Sequence, residues 1–151
     1  MSAPLYSIEL LLPHARPMIL LDEVVGRDGL SMTTALTVRP SLPFFRPGRG
    51  IPTHIGLEWM AQTCGAYIGA RSRDDGRPVR LGFLLGTREY KSSVRWFVVG
   101  ERVLVTATEQ FGDGQIGSFN CSIRRASDDV RIANAVLTVY QPEDPGTLLA
   151  G

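Results

Sequence analysis

Residues 51–70 read IPTHIGLEWMAQTCGAYIGA, and the fold turns on how this stretch is read. Pro52 followed by Thr53 marks a helix start, because a Thr oxygen can accept an orphan N–H of the first turn. About five turns then fit before the RSRDDG run at 71–76 ends the helix. Ile55, Trp59, Met60, Thr63, Cys64, Tyr67 and Ile68 sweep out so wide an apolar face that the helix is expected to be buried nearly all round. Glu58 and Gln62 lie one turn apart on a stripe that Gly65 and Gly69 continue. Each interior Gly costs roughly 1 kcal/mol against Ala, so two of them imply that something presses close on the helix backbone. His54 precedes Glu58 by one turn, which lets an imidazole and a carboxylate meet at the start of an otherwise apolar helix.

Just upstream, residues 39–50 (RPSLPFFRPGRG) carry three prolines and two glycines, which forbid regular structure. Phe44 and Phe45 must therefore plug the core or line a site, the core being preferred. Further upstream, residues 5–12 form a short apolar segment of a helical turn or two, stopped because Pro13 disfavours helix in the residue before it. Residues 18–25 (MILLDEVV) read as a mostly buried strand carrying Asp22 and Glu23; 27–29 (RDG) supply a turn and 30–38 the hairpin partner.

Downstream, 74–78 (DDGRP) is a loop and 79–90 a strand interrupted by Gly82 and Gly86. Residues 102–110 (RVLVTATEQ) alternate strictly, with Val103, Val105 and Ala107 on one face, and 112–114 (GDG) signal a hairpin. Strands at 116–125 and 130–140 follow; Pro142 and Pro145 close the ordered chain, with a frayed tail from about residue 143. Two strands, one long buried helix and four more strands joined by short turns make an α+β domain: a curved antiparallel sheet wrapped around one long central helix. Such a sheet leaves an edge strand that a second subunit can extend, so a dimer is expected.

With 151 residues and 44% apolar content, residues 1–151 fit a single domain. Cys64 and Cys121 sit inside apolar patterns with no CxxC spacing. They are expected to be structural thiols of a reduced, cytoplasmic protein, with no disulfide framework and no metal centre. A net charge of +1 does not suggest a nucleic-acid surface. No apolar run nears the roughly 20 residues of a membrane span, and the N-terminal MSAP does not read as a signal segment. The basic side is nearly all Arg, with Lys91 the lone lysine; Arg46, Arg49, Arg71, Arg73, Arg77 and Arg80 flank the helix, and Arg suits bidentate phosphate and carboxylate contacts.

Residues 12–14 (LPH), Pro17 and the apolar run to Asp22, followed by PTHIGLEWMAQTCGAYIG at 52–69, resemble the β-hydroxyacyl-acyl-carrier-protein dehydratases, the FabZ and FabA group with the hotdog fold. The helix of that family reads approximately Pro-Gly-x-x-x-Leu-Glu/Asp-x-Met-x-Gln-x-x-Gly. Pro52, Leu57, Glu58, Met60, Gln62 and Gly65 fall on this pattern, and Gly56, Tyr67 and Gly69 fit its FabA variant. GFLLGTREY at 82–90 and VYQP at 139–142 are similar to the ApeP-like branch found in aryl-polyene gene clusters.

The resemblance implies dehydration of β-hydroxyacyl thioesters to trans-2-enoyl thioesters in fatty-acid or aryl-polyene-type biosynthesis. It implies no bound cofactor, because the substrate rides on the phosphopantetheine of an acyl carrier protein. The partners it implies are that carrier protein and a homodimeric or heterodimeric hotdog mate. On the resemblance, Glu58 handles the leaving hydroxyl, N–H groups around Thr53 and Ile55 hold the thioester oxygen, and Gly65 admits the substrate. Gln62 then fixes Glu58, while Tyr67, Phe83 and Phe45 line the acyl tunnel and Arg46, Arg49, Arg88 and Lys91 face the carrier protein.

One departure stands out. The family's catalytic His lies in a Gly-His-Phe-Pro loop before the helix, but residues 43–52 (PFFRPGRGIP) are shorter and contain no His. His14 falls on a family position read as structural. Either His54 replaces the loop base, or the chain is a weakly active subunit that stabilises an active hotdog partner. A thioesterase using Glu58 to activate water is a third option, which only the fold suggests.

Overall fold

The computed structural model describes residues 5–13, 16–79, 82–113 and 115–141. A single helical turn, α1 (Ile8–Leu11), is followed by β1 (Glu23–Arg27), β2 (Ser31–Thr37), a two-residue strand β3 (Ile51–Pro52) and a 3₁₀ turn (Thr53–Ile55). Then come the long helix α2 (Gly56–Asp74) and β4 (Phe83–Ser92), β5 (Trp96–Phe97), β6 (Arg102–Gly112), β7 (Ile116–Arg125) and β8 (Arg131–Tyr140). Six strands form one antiparallel sheet in the order β1-β2-β6-β7-β8-β4. The helix packs on one face of it, against β2, β6, β7 and β8. This is the sheet-around-helix architecture expected from the pattern. The separate β3–β5 ladder was not foreseen, because two residues a side carry no readable periodicity.

The alternation in β6 decides its orientation: Val103, Val105 and Ala107 are fully buried, facing the helix together with Phe119 and Ile123 of β7 and Leu137 of β8. Trp59, Met60, Cys64 and Tyr67 of α2 meet them. The Trp59 ring lies 4.6 Å from that of Phe97, and Tyr67 meets Phe119 edge-on at 5.6 Å. The helix is buried nearly all round, as its composition implies. From Leu57 to Ala70 the single exposed position is Glu58. Cys64 and Cys121 are free, buried and 3.6 Å apart at sulfur, and burial pushes the Cys64 thiol up, away from the reactive thiolate.

What presses on the helix backbone is the N-terminal segment. A Cβ on Gly69 would lie 2.2 Å from the carbonyl oxygen of Leu11, whereas one on Gly65 would meet only the flexible tip of Leu12 at 3.3 Å. Gly69→Ala therefore sets a helix-propensity gain of roughly 1 kcal/mol against overpacking of about 1–3 kcal/mol on a backbone atom that cannot swing aside. We expect a net loss of stability, read as a lower urea midpoint. A midpoint at or above wild type would show that α1 moves away at no cost.

Several local readings are corrected. Thr53 does not cap the helix: its Oγ1 donates to Ser92 Oγ at 2.7 Å and meets Tyr90 Oη at 3.2 Å, and no side chain caps the 3₁₀ turn or α2. The first strand begins at Glu23, later than expected. Residues 18–20 run as irregular chain pinned by Gln62, whose Nε2 donates to the Met18 carbonyl at 2.7 Å and whose Oε1 accepts from the Leu20 N–H at 2.8 Å. Phe44 is not a core plug; it is 56% exposed at a φ of 70°, while Phe45 packs half-buried against the core. The expected hairpin turn at 27–29 is present, with Asp28 Oδ1 accepting from the N–H groups of Leu30 and Ser31. Asp74, at the end of α2, accepts from Arg27 and from Tyr6 Oη at 2.8 Å, and the Arg27 guanidinium holds its carboxyl below the usual range. His14, Arg80, Pro142, Pro145 and the tail from residue 143 lie outside the described residues.

Candidate active site

The one exposed side chain in the heart of α2 stands in a cleft. Glu58, Ala61, Gln62 and Gly65 form its floor, the N-terminal segment (Leu12, Pro13, Met18) one wall, and Gly82, Leu84 and Val139 the other; its volume is about 230 Å³. Local chemistry explains the shape. Gln62 ties residues 18–20 to the helix, which holds Met18 in place. Small residues at Ala61 and Gly65 keep the floor low. β4 bounds the cleft at the edge of the sheet, where it pairs only with β8. The walls are mainly apolar, and among the described lining residues the one ionisable group is the Glu58 carboxylate.

The structure thus brings together Glu58, Gln62 and Gly65 of the residues singled out in the sequence. Gln62 does not fix Glu58: both ends of its amide are committed to the backbone of residues 18–20. His54 is exposed on the 3₁₀ turn and is not among the cleft-lining residues. Among the described residues no hydrogen bond or ion pair joins it to Glu58.

The Thr53 N–H donates to the Arg95 carbonyl at 3.0 Å and is not free to hold a thioester oxygen. Ile55 is buried in the core. Tyr67 lies on the opposite side of the helix from Glu58, its ring in the core and its hydroxyl bonded to Arg71 at 3.0 Å, and neither Tyr67 nor Phe45 is among the residues lining the Glu58 cleft. The side chain of Phe83 lies outside the described residues.

The four cations expected at a carrier protein separate into two pairs. Arg46 and Arg49 project from the tight 46–50 turn, with Arg49 5.5 Å from the Trp96 ring. Arg88 and Lys91 are exposed on edge strand β4. Missed by the sequence reading were Leu12, Pro13, Met18, Leu84 and Val139, which belong to segments far apart in the chain. The one available signal was the pair of small residues at Ala61 and Gly65, one turn apart on the face of Glu58. Among the described residues no cluster of His, Cys, Asp and Glu could hold a metal ion, and no helix is long and apolar enough to cross a membrane.

The arrangement of helix, cleft and edge strand has close relatives. The 3-hydroxyacyl-acyl-carrier-protein dehydratase FabZ of Brucella ovis is 31% identical over 139 residues, covering 89% of this chain and 85% of the relative. Among solved structures, the dehydratase heterocomplex ApeI:P from Xenorhabdus doucetiae contains a chain that is 26% identical and superimposes with a TM-score of 0.90 over 97% of both chains. A thioesterase of Haemophilus influenzae, 11% identical with a TM-score of 0.62 over 80% of this chain and 77% of the other, shares the fold alone. The model of the ApeP dehydratase family matches residues 6–150. With the hotdog architecture, the acid-bearing helix and a match spanning almost all of its length, the chain belongs to the ApeP-like dehydratase family.

Proposed function

We propose that this chain is a dehydratase subunit that contributes Glu58 to water elimination from 3-hydroxyacyl thioesters carried by an acyl carrier protein. It works beside a second hotdog protein that extends the β4 edge and supplies the base. The observation that carries this reading is the cleft itself: an acid on an apolar helix, at a sheet edge, with no imidazole among its described lining residues. The partner's base removes the Cα proton, the C–O bond at Cβ breaks, and Glu58 passes a proton to the departing hydroxyl, leaving water and a trans-2-enoyl thioester. The elimination moves protons and breaks one C–O bond, so it needs no redox cofactor. Arg46, Arg49, Arg88 and Lys91 remain the candidate contacts for an acidic carrier protein. The likeness to a heterocomplex of dehydratases supports the mixed dimer, and the family supports an aryl-polyene or fatty-acid setting.

A second reading, a homodimer with His54 as base, draws on the exposure of His54 one turn before Glu58. Mass spectrometry of a 3-hydroxyacyl carrier protein separates the two. Water loss only when a companion hotdog protein is added supports the mixed dimer, and loss with this chain alone transfers the base to His54. Free thiol in place of enoyl product would mean a thioesterase. No reaction in any combination, with the fold intact, would sink the dehydratase reading.

A further inference from the structure

Strand β4 breaks register with β8 in two places, and the second lies between Arg88 and Lys91. Arg88 pairs with Val136 and Lys91 with Asn134, so β4 carries one extra residue across this step, a β-bulge. Within it Glu89 takes a φ of 57°, a left-handed conformation that a non-glycine residue holds only when its surroundings impose it. Strict alternation from the exposed Arg88 would return the side chain of residue 90 to solvent. The extra residue instead turns Tyr90 inward, where it packs partly buried against the core, and leaves Lys91 exposed.

The bulge aims Tyr90 at the residue from which the acid-bearing helix starts. Its Oη donates to the Thr53 carbonyl at 2.6 Å, and the same carbonyl accepts the N–H of Gly56, the first residue of α2. The other polar groups of Thr53 are held from the same direction: its N–H donates to the Arg95 carbonyl at 3.0 Å and its hydroxyl to Ser92 Oγ at 2.7 Å. Residues 90–95 thus clasp every polar group that Thr53 has. Gly56 leaves room for the phenol, since a Cβ there would lie 2.7 Å from Tyr90 Oη and 2.8 Å from Ile123 Cδ1. Burial pushes the Tyr90 pKa up, so the hydroxyl keeps the proton it donates. A phenylalanine would fill the same space. The hydroxyl, bonded to a carbonyl that already has a helical partner, adds direction and not volume.

β4 is also an edge of the sheet, paired with β8 on one side and open on the other. The strand on which the companion would dock therefore carries the side chain that holds the start of α2, where Gly56 precedes Glu58 by two residues. We propose that Tyr90 is the positioning residue that fixes Glu58 relative to the companion's base, the bulge in β4 tying the start of the acid helix to the shared edge. The proposal rests on the reading of this chain as the acid-bearing half of a mixed dehydratase. An acid and a base carried by two chains must meet one substrate in one geometry, and an error of about 1 Å can cost on the order of 100-fold in rate. A directional bond between the shared strand and the helix start limits that error.

The test is a double-mutant cycle on water elimination by the full chain with its companion, joined to hydrogen exchange on the chain alone. Tyr90→Phe removes one oxygen and keeps the ring; it should lower kcat by roughly 10-fold while KM and the affinity for the companion hold. In the Glu58→Gln background the same change should cost less than about 2-fold, because a residue that acts through Glu58 then has no acid left to place. A residue that merely stabilises the fold would lower both backgrounds alike. Exchange requires no turnover: Tyr90→Phe should speed it about 10-fold at the amides of the 3₁₀ turn and the first turn of α2, and leave β6 and β7 unchanged. An unchanged kcat, an equal loss in both backgrounds, or exchange at the helix start identical to wild type would overturn the proposal and leave the dehydratase reading standing. Absence of elimination in every assembly, wild type included, would remove that reading and this inference with it.

Discussion

Glu58→Gln should lower water elimination by the chain and its hotdog companion by on the order of 100-fold or more, the usual share of a general acid. That corresponds to about 2.7 kcal/mol of transition-state stabilisation. Gln keeps the size and hydrogen-bonding reach of Glu but cannot pass a proton. The substitution is clean, because Glu58 is exposed and, among the described residues, bonds to nothing the fold depends on. Thermal melting should therefore be unchanged, which separates lost chemistry from lost structure. If turnover in the mixed assembly survives the change, the chain is a scaffold and the acid belongs to its partner. His54→Ala is the companion measurement: an unchanged rate agrees with a base supplied by the partner, and a loss as large as that of Glu58→Gln assigns the base to His54.

Trp59→Ala is expected to cost about 3–5 kcal/mol, the range for deleting a fully buried large aromatic. Trp59 is 1% exposed and meets the Phe97 ring at 4.6 Å with the two planes tilted by 45°. Phe97 belongs to β5, which pairs with β3 just ahead of the 3₁₀ turn, so the void opens where the start of α2 is anchored. Against a total stability of about 5–15 kcal/mol for a domain, the variant loses a large part of its margin, and urea denaturation should show a greatly lowered midpoint. A cost below about 1.5 kcal/mol would mean that neighbouring side chains collapse into the space. The two variants are complementary: one acts on chemistry with the fold intact, the other on the fold from a position next to the acid.

The helix was legible because its apolar residues recur at helical spacing over nearly five turns, and such periodicity has only one physical solution. β6 was legible for the parallel reason: strict alternation admits one face to the core. The N-terminal boundary of α2 was not legible, because Thr53 could have capped the helix. Its hydroxyl is used by Tyr90 and Ser92, partners nearly 40 residues away that local sequence cannot announce. The same holds for Gln62, whose spacing from Glu58 suggests a pair, while the better partners are two backbone groups of residues 18–20.

The identity of the acid and the small residues around it could be read from spacing along one helix. The walls of the cleft could not, since Leu12 and Met18, Leu84, and Val139 reach it from three separate segments. Helical and strand periodicity are local and survive without a partner, so amino-acid order determines the α+β class, the central helix, the acid at Glu58 in its first turn and the burial of both cysteines. Which hydroxyl bonds to which carbonyl, whether Phe44 is in or out, and where Tyr67 points are settled by competition among long-range contacts of nearly equal worth. Only the tertiary structure decides that competition, because each contact exists only once the sheet has closed over the helix.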